Sequence, residues 1–165
     1  MHIKDFHAFT SGINQGILRR LLTPVTVISN SLTVQVPALW DTGATGTSIS
    51  YDVAAKLKLV PTGMMTVKTA SGSDDVNTYV VDIILPNNVA IKDVQVCDSK
   101  IGEQRIGMLI GMDIITMGDF SITNENGNTV FTFRIPTIQK IDYVKEAEMI
   151  KLAYGKKSLK KQKHR

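Results

Sequence analysis

The chain has 165 residues, 43% of them hydrophobic, with 19 basic and 15 acidic side chains and a formal net charge of +4, which suits one soluble globular domain able to bury its own core. Its single cysteine, Cys97, excludes an internal disulfide; no His or Cys spacing suggests a metal site, and no cofactor is expected. Asp82 or Pro86 interrupts the longest apolar stretches, so no membrane span is expected. The N-terminal Met1-His2-Ile3-Lys4-Asp5-Phe6 lacks the basic-then-apolar order of a secretory signal, which makes a cytoplasmic location the expectation.

Strand signals dominate from the start. Phe6 to Thr10 and Leu18 to Ile28 read as an N-terminal β-ribbon within residues 1–31, with Asn14-Gln15-Gly16 as the turn between them. Leu32 to Trp40 reads as the next strand. Asp52 to Leu59 reads as a short helix, with Ser50 as N-cap and Pro61 beyond its end. Met64 to Ala70 and Asn77 to Leu85 alternate apolar and polar residues around Ser71-Gly72-Ser73-Asp74-Asp75, the pattern of a hairpin. A further strand is expected over Val89 to Cys97, one or two helical turns over Asp113 to Met117, and a hairpin from Phe120 to Thr123 and Thr129 to Ile135. Ile138 to Leu152 carries apolar residues at helical spacing. Residues 151–165 hold seven of the 19 basic side chains and no acidic one, leaving 12 basic against 15 acidic in the remainder. Residues 155–165 are therefore expected to be a disordered basic tail, able to touch nucleic acid through phosphates but without aromatics to stack on bases. Many short strands with small helices predict a mainly β, closed barrel or sandwich.

Chemistry concentrates at Asp41-Thr42-Gly43-Ala44. An apolar strand that ends at a carboxylate, then a hydroxyl and a glycine, describes a tight turn holding Asp41 near the Gly43 amide. Asp, Thr and Gly are also ordinary turn residues, and an Asx turn without chemistry has the same spelling. A second segment raises the motif's value: Met108-Leu109-Ile110-Gly111-Met112-Asp113, an apolar run broken by glycine and followed by a short helix. Asp113 reads as a cap or first-turn residue of that helix. Trp40 reads as packing, and Cys97 as a small packed strand residue.

Together the two segments resemble the retropepsin family, the retroviral-type aspartic proteases, over roughly Val34 to Pro136. Gly118-Asp119-Phe120-Ser121-Ile122 looks like the family's bacterial branch. The resemblance implies a single-lobe protease core at 32–137 with a flap hairpin, followed by a C-terminal helix at 138–154. It implies that Asp41 is the catalytic acid–base residue, that Thr42 locks two turns together across a dimer axis, and that Gly43 lets backbone approach the carboxylates. Leu39, Ala44, Thr45, Leu109 and Ile110 would line or back the substrate site, and Ala70, Ser71, Gly72 and Ser73 would form the flap tip over a bound polypeptide.

The motif occurs once, so the resemblance implies a homodimer in which each subunit supplies one Asp41. Retroviral members pair a carboxylate at the position of Thr45 with an arginine at that of Met112. Both partners are absent here, and the loop must be stabilised otherwise. Alanine at 44 lacks the hydroxyl that serine or threonine would offer the carboxylate, which implies activity at weakly acidic pH. Two other readings use the same residues: a catalytically silent module for dimerisation or peptide binding, and a β domain that dimerises a nucleic-acid-binding tail.

Overall fold

The computed structural model describes residues 5–69 and 72–162. Ten strands form two sheets: β1 (His7–Ser11), β2 (Leu22–Ser29), β3 (Leu32–Trp40), β4 (Ser48–Ser50), β5 (Gly63–Thr69), β6 (Gly72–Ile84), β7 (Ala90–Ser99), β8 (Met108–Ile110), β9 (Asp119–Thr123) and β10 (Val130–Ile135). The helices are α1 (Tyr51–Lys56), α2 (Met112–Ile115) and α3 (Tyr143–Gln162). Strands β2, β3, β8, β4, β7 and β6 pair in that order, and β6 pairs back onto β2, closing a six-stranded barrel. Strand β5 hangs on β6 outside the ring. The barrel is the mainly β architecture expected.

Alternation of side chains along each strand fills the barrel. Val25, Val27, Ala38, Ile49, Ile83, Val96, Met108 and Ile110 are all essentially inaccessible to solvent. The second sheet, β1-β10-β9, supplies Phe9, Phe120, Phe131 and Phe133, which surround Trp40. The Trp40 ring stacks on Phe120 at 5.7 Å and lies 4.9 Å from Phe133. Its indole Nε1 donates to Thr23 Oγ1 at 2.9 Å, so its one polar atom is satisfied in the core. Trp40 thus joins the barrel to the second sheet and fixes the end of β3.

Three expectations are corrected. Strand β1 does not pair with the residues at 18–28; it pairs with β10, His7 opposite Ile135. A turn does form at 12–16, where Gln15 N donates to Gly12 O, but the chain beyond it runs along the β9–β10 connection. Leu18 N donates to Thr129 Oγ1, and Thr129 N donates to Gly16 O. Phe9 finds its apolar partners in Phe131 and Phe133, across the sequence rather than beside it. The hairpin β5–β6 is tighter than expected: pairing continues to Thr69 opposite Gly72, so Ser73, Asp74 and Asp75 are strand residues. Ala70 and Ser71, expected at its tip, lie outside the described residues. The last helix starts at Tyr143 rather than 138, after Asp142, whose side chain accepts from Lys145 N. It continues through Gln162, past the start of the segment expected to be disordered, since lysine, leucine and glutamine are good helix formers. No described helix is long and apolar enough to cross a membrane.

Elsewhere the expected elements are present. Ser50 Oγ caps α1 by accepting from Val53 N, and β9 and β10 form the expected hairpin, Phe133 opposite Phe120.

Candidate active site

Strand β3 runs parallel to β8, Leu39 beside Leu109 and Trp40 beside Ile110. The ladder continues one residue further, where Asp41 N donates to Ile110 O at 2.9 Å. The chain then turns: Ala44 N donates to Asp41 O, and Gly43 N donates to Asp41 Oδ1 at 2.8 Å. A Cβ at Gly43 would lie 3.2 Å from that oxygen, so glycine leaves room for the carboxylate. Asp41 is half-buried, and its Oδ2 takes no hydrogen bond among the described residues. One oxygen is fixed and the other is open.

A second loop holds the first in place. Met112 N donates to Ala44 O at 2.8 Å and Asp113 N to Thr45 O at 3.2 Å. Thr47 is the hub: its amide donates to Asp113 Oδ2, its hydroxyl donates to Asp113 Oδ1 at 2.8 Å and accepts from Gly111 N at 3.1 Å. Ile114 N also donates to Asp113 Oδ1. Gly111 packs so closely that a Cβ there would lie 2.5 Å from the Gly46 backbone. This hydroxyl–carboxylate link ties the two loops together without an ion pair at Thr45 and Met112. Thr47 is not singled out by the sequence, where it is one of three threonines between Asp41 and Ser48.

The structure brings Leu39, Asp41, Thr42, Gly43, Ala44, Thr45 and Ile110 into one unit. Leu39 is half-buried and, with Asp41 and Thr42, lines a cavity of about 440 Å³. Thr42 is exposed, and its hydroxyl makes no hydrogen bond among the described residues. Ile110 is fully buried and reaches the site through its carbonyl, with its side chain in the core. Leu109 is half-buried beside Leu39 but does not line that cavity. Gly72 and Ser73 are on a different element, β6. The cavity is also lined by Leu18, Arg19, Arg20 and Leu21, which sequence reasoning did not connect to the site.

Two more polar groups lie away from the loop. Asp98, 3% exposed, accepts from Asn77 N, Asn77 Nδ2 and Tyr79 Oη, anchoring the base of β6. Burial, then the bond to Asp98, push the Tyr79 hydroxyl above its usual range. Burial likewise raises the Cys97 thiol, consistent with a packed rather than reactive cysteine.

Residues 26–117, more than half of the chain, match the family described as "gag-polyprotein putative aspartyl protease". The chain belongs to this family of aspartyl proteases. Solved structures are also similar to the chain. A retropepsin-like aspartic protease from Rickettsia conorii superposes with a TM-score of 0.51 at 14% identity, covering 81% of this chain and 98% of its own. The retroviral protease-like domain of Ddi1 from Leishmania major gives 0.45 at 18% identity, covering 70% and 95%. EIAV protease complexed with the inhibitor HBY-793 gives 0.45 at 22%, covering 59% and 86%. No curated protein matches the chain in sequence. The retropepsin-like character expected from Asp41-Thr42-Gly43 and Leu109-Ile110-Gly111 is thereby borne out for family and fold.

Proposed function

We propose that this member of the aspartyl protease family is an endopeptidase whose active centre forms between two copies of the chain, each contributing Asp41. The observation that carries the reading is the state of the two carboxylates near the motif. Asp113 is consumed by Thr47 and the Ile114 amide, whereas Asp41 keeps an open oxygen at the rim of a cavity. A chain with one such carboxylate needs a second, and a twofold axis supplies it by symmetry. The exposed Thr42, with no partner for its hydroxyl among the described residues, is suited to bond across that axis.

Two carboxylates that close share one proton, because both cannot ionise side by side. The pair titrates as a unit. The ionised Asp41 removes a proton from water, the resulting hydroxide adds to the scissile carbonyl carbon, and the protonated Asp41 donates to the carbonyl oxygen. Collapse of the tetrahedral adduct returns one hydroxyl proton to the pair and breaks the carbon–nitrogen bond, as the amine leaves with the proton the pair had held. The hairpin β5–β6 serves as the flap that excludes water from the bound polypeptide.

Digestion of a complex peptide mixture at pH 4–7, read by mass spectrometry, tests this. Wild type should cut, and Asp41→Asn should cut roughly 10²- to 10⁴-fold more slowly, the span a positioned acid–base group contributes. Equal cutting by both would refute the assignment of Asp41. Absence of cutting by either, with a dimer intact in light scattering, would favour a peptide-binding module.

A further inference from the structure

The lining of the cavity beside Asp41 includes two arginines. Arg19 and Arg20 line the same space of about 440 Å³ as Asp41, Thr42 and Leu39, with Leu18 and Leu21 adding apolar surface. Neither arginine forms a salt bridge among the described residues. Arg20 Nη2 donates only to the Gln104 carbonyl, at 3.4 Å, and Arg19 makes no hydrogen bond there. Asn124, also in the lining, uses its Oδ1 to accept from Thr129 Oγ1, leaving its amide N–H groups as donors. Asp41 is the single carboxylate of the lining, so even with Asp41 ionised the cavity carries one net positive charge. The space is therefore bordered by leucines, rich in free donors and cationic.

We infer that this cavity is an anion-selective subsite that admits a glutamate-type side chain of the substrate, held by Arg19 and Arg20 beside the scissile bond. The inference rests on the endopeptidase reading, since it assigns the substrate class of that same centre. Position follows from geometry: a cavity whose lining includes Asp41 itself receives the side chain of a residue adjoining the bond whose hydrolysis Asp41 catalyses. Chemistry follows from the donor set. A glutamate lays its methylenes along Leu18, Leu21 and Leu39 and presents two acceptors to guanidinium groups built to bind carboxylates as a fork. A lysine side chain in the same place meets like charge and is excluded.

The test compares wild type with the double variant Arg19→Gln, Arg20→Gln, both exposed positions where folding should be unaffected. In a peptide-mixture digest, wild-type cuts should be enriched about fivefold for glutamate over glutamine at one flanking position, the scale of a partly exposed ion pair. The enrichment should fade at 1 M salt and vanish in the double variant. A binding arm removes dependence on turnover. Asp41→Asn, alone and with the two arginine changes, is titrated with fluorescein-labelled alanine–leucine peptides bearing a central glutamate or glutamine. Preference for the glutamate peptide that requires the arginines supports the subsite even if no peptide is cut. Cleavage lost in Asp41→Asn but without glutamate enrichment overturns the subsite and leaves the endopeptidase standing. Conversion of the dimer to monomer by the arginine changes also overturns it, by placing both residues at the subunit interface.

Discussion

The loop that carries Asp41 and the hairpin β5–β6 are built on opposite plans. Around Asp41, short polar links run between two turns: Thr47 to Asp113 and Gly111, Met112 to Ala44, Asp113 to Thr45. Along the hairpin, Met64 is 71% exposed, Met65 47%, and among the described residues the distal side-chain link is an exposed bond from Thr66 Oγ1 to Asp75 Oδ1. Side-chain anchoring is concentrated at the hairpin's base among the described residues, where Thr62 N donates to Thr78 O and the buried Asp98 holds Asn77 and Tyr79. Mutually satisfied polar groups centred on a buried threonine resist local opening, while exposed ladders open at little cost. The difference teaches where rigidity is required: the carboxylate must not move, and its proposed cover must.

Substitutions on either side should expose that contrast. Gly111→Ala forces a Cβ to within 2.5 Å of the Gly46 backbone and should cost about 3 kcal/mol, at the upper end for overpacking, in urea denaturation. A loss below about 0.5 kcal/mol would mean the two loops yield easily. Next in size, Thr47→Val keeps the side-chain shape but strips Asp113 Oδ1 and Gly111 N of a partner. About 2 kcal/mol should be lost, together with peptidase activity.

Between the two plans lies the β9–β10 sheet behind Trp40. The Ile138 amide and the Arg134 guanidinium hold the Asp119 carboxyl below its ordinary 3.8. A depressed carboxylate contributes stability that is complete above its unfolded value and is lost as pH falls through the lowered folded one. Wild type should therefore outlast Asp119→Asn in thermal melts at pH 7, with the gap closing below about pH 4. A gap independent of pH would mean the charge is immaterial. Smallest of all, Thr66→Val should change stability by less than about 0.5 kcal/mol, because its bond to Asp75 is exposed. A larger loss would show the distal hairpin to be more ordered than its contacts indicate.

Local signals carried much of the architecture into the sequence. Leu32–Trp40 delivering Asp41, the Ser50 cap and the β9–β10 hairpin each depend on residues close together in the chain. What stayed hidden depends on distant ones. The pairing of β1 with β10 joins residues more than a hundred positions apart, and a generic alternation at Phe6–Thr10 does not name its partner. Thr47 gains meaning only when Asp113 arrives beside it. Arg19 and Arg20 looked like strand residues, and the turn at 12–16 instead sends them to the cavity wall.

The claim at the centre of the account is that one active centre needs two chains. Mixing tests it most directly: a fixed amount of wild type is equilibrated with increasing Asp41→Asn, and peptide cleavage is followed. If each centre takes one Asp41 from each subunit, a ninefold excess of the variant should leave about one tenth of the wild-type rate, as random pairing of symmetric dimers requires. A rate indifferent to the added variant would mean that a single chain carries the whole site, and the shared-aspartate account would be wrong.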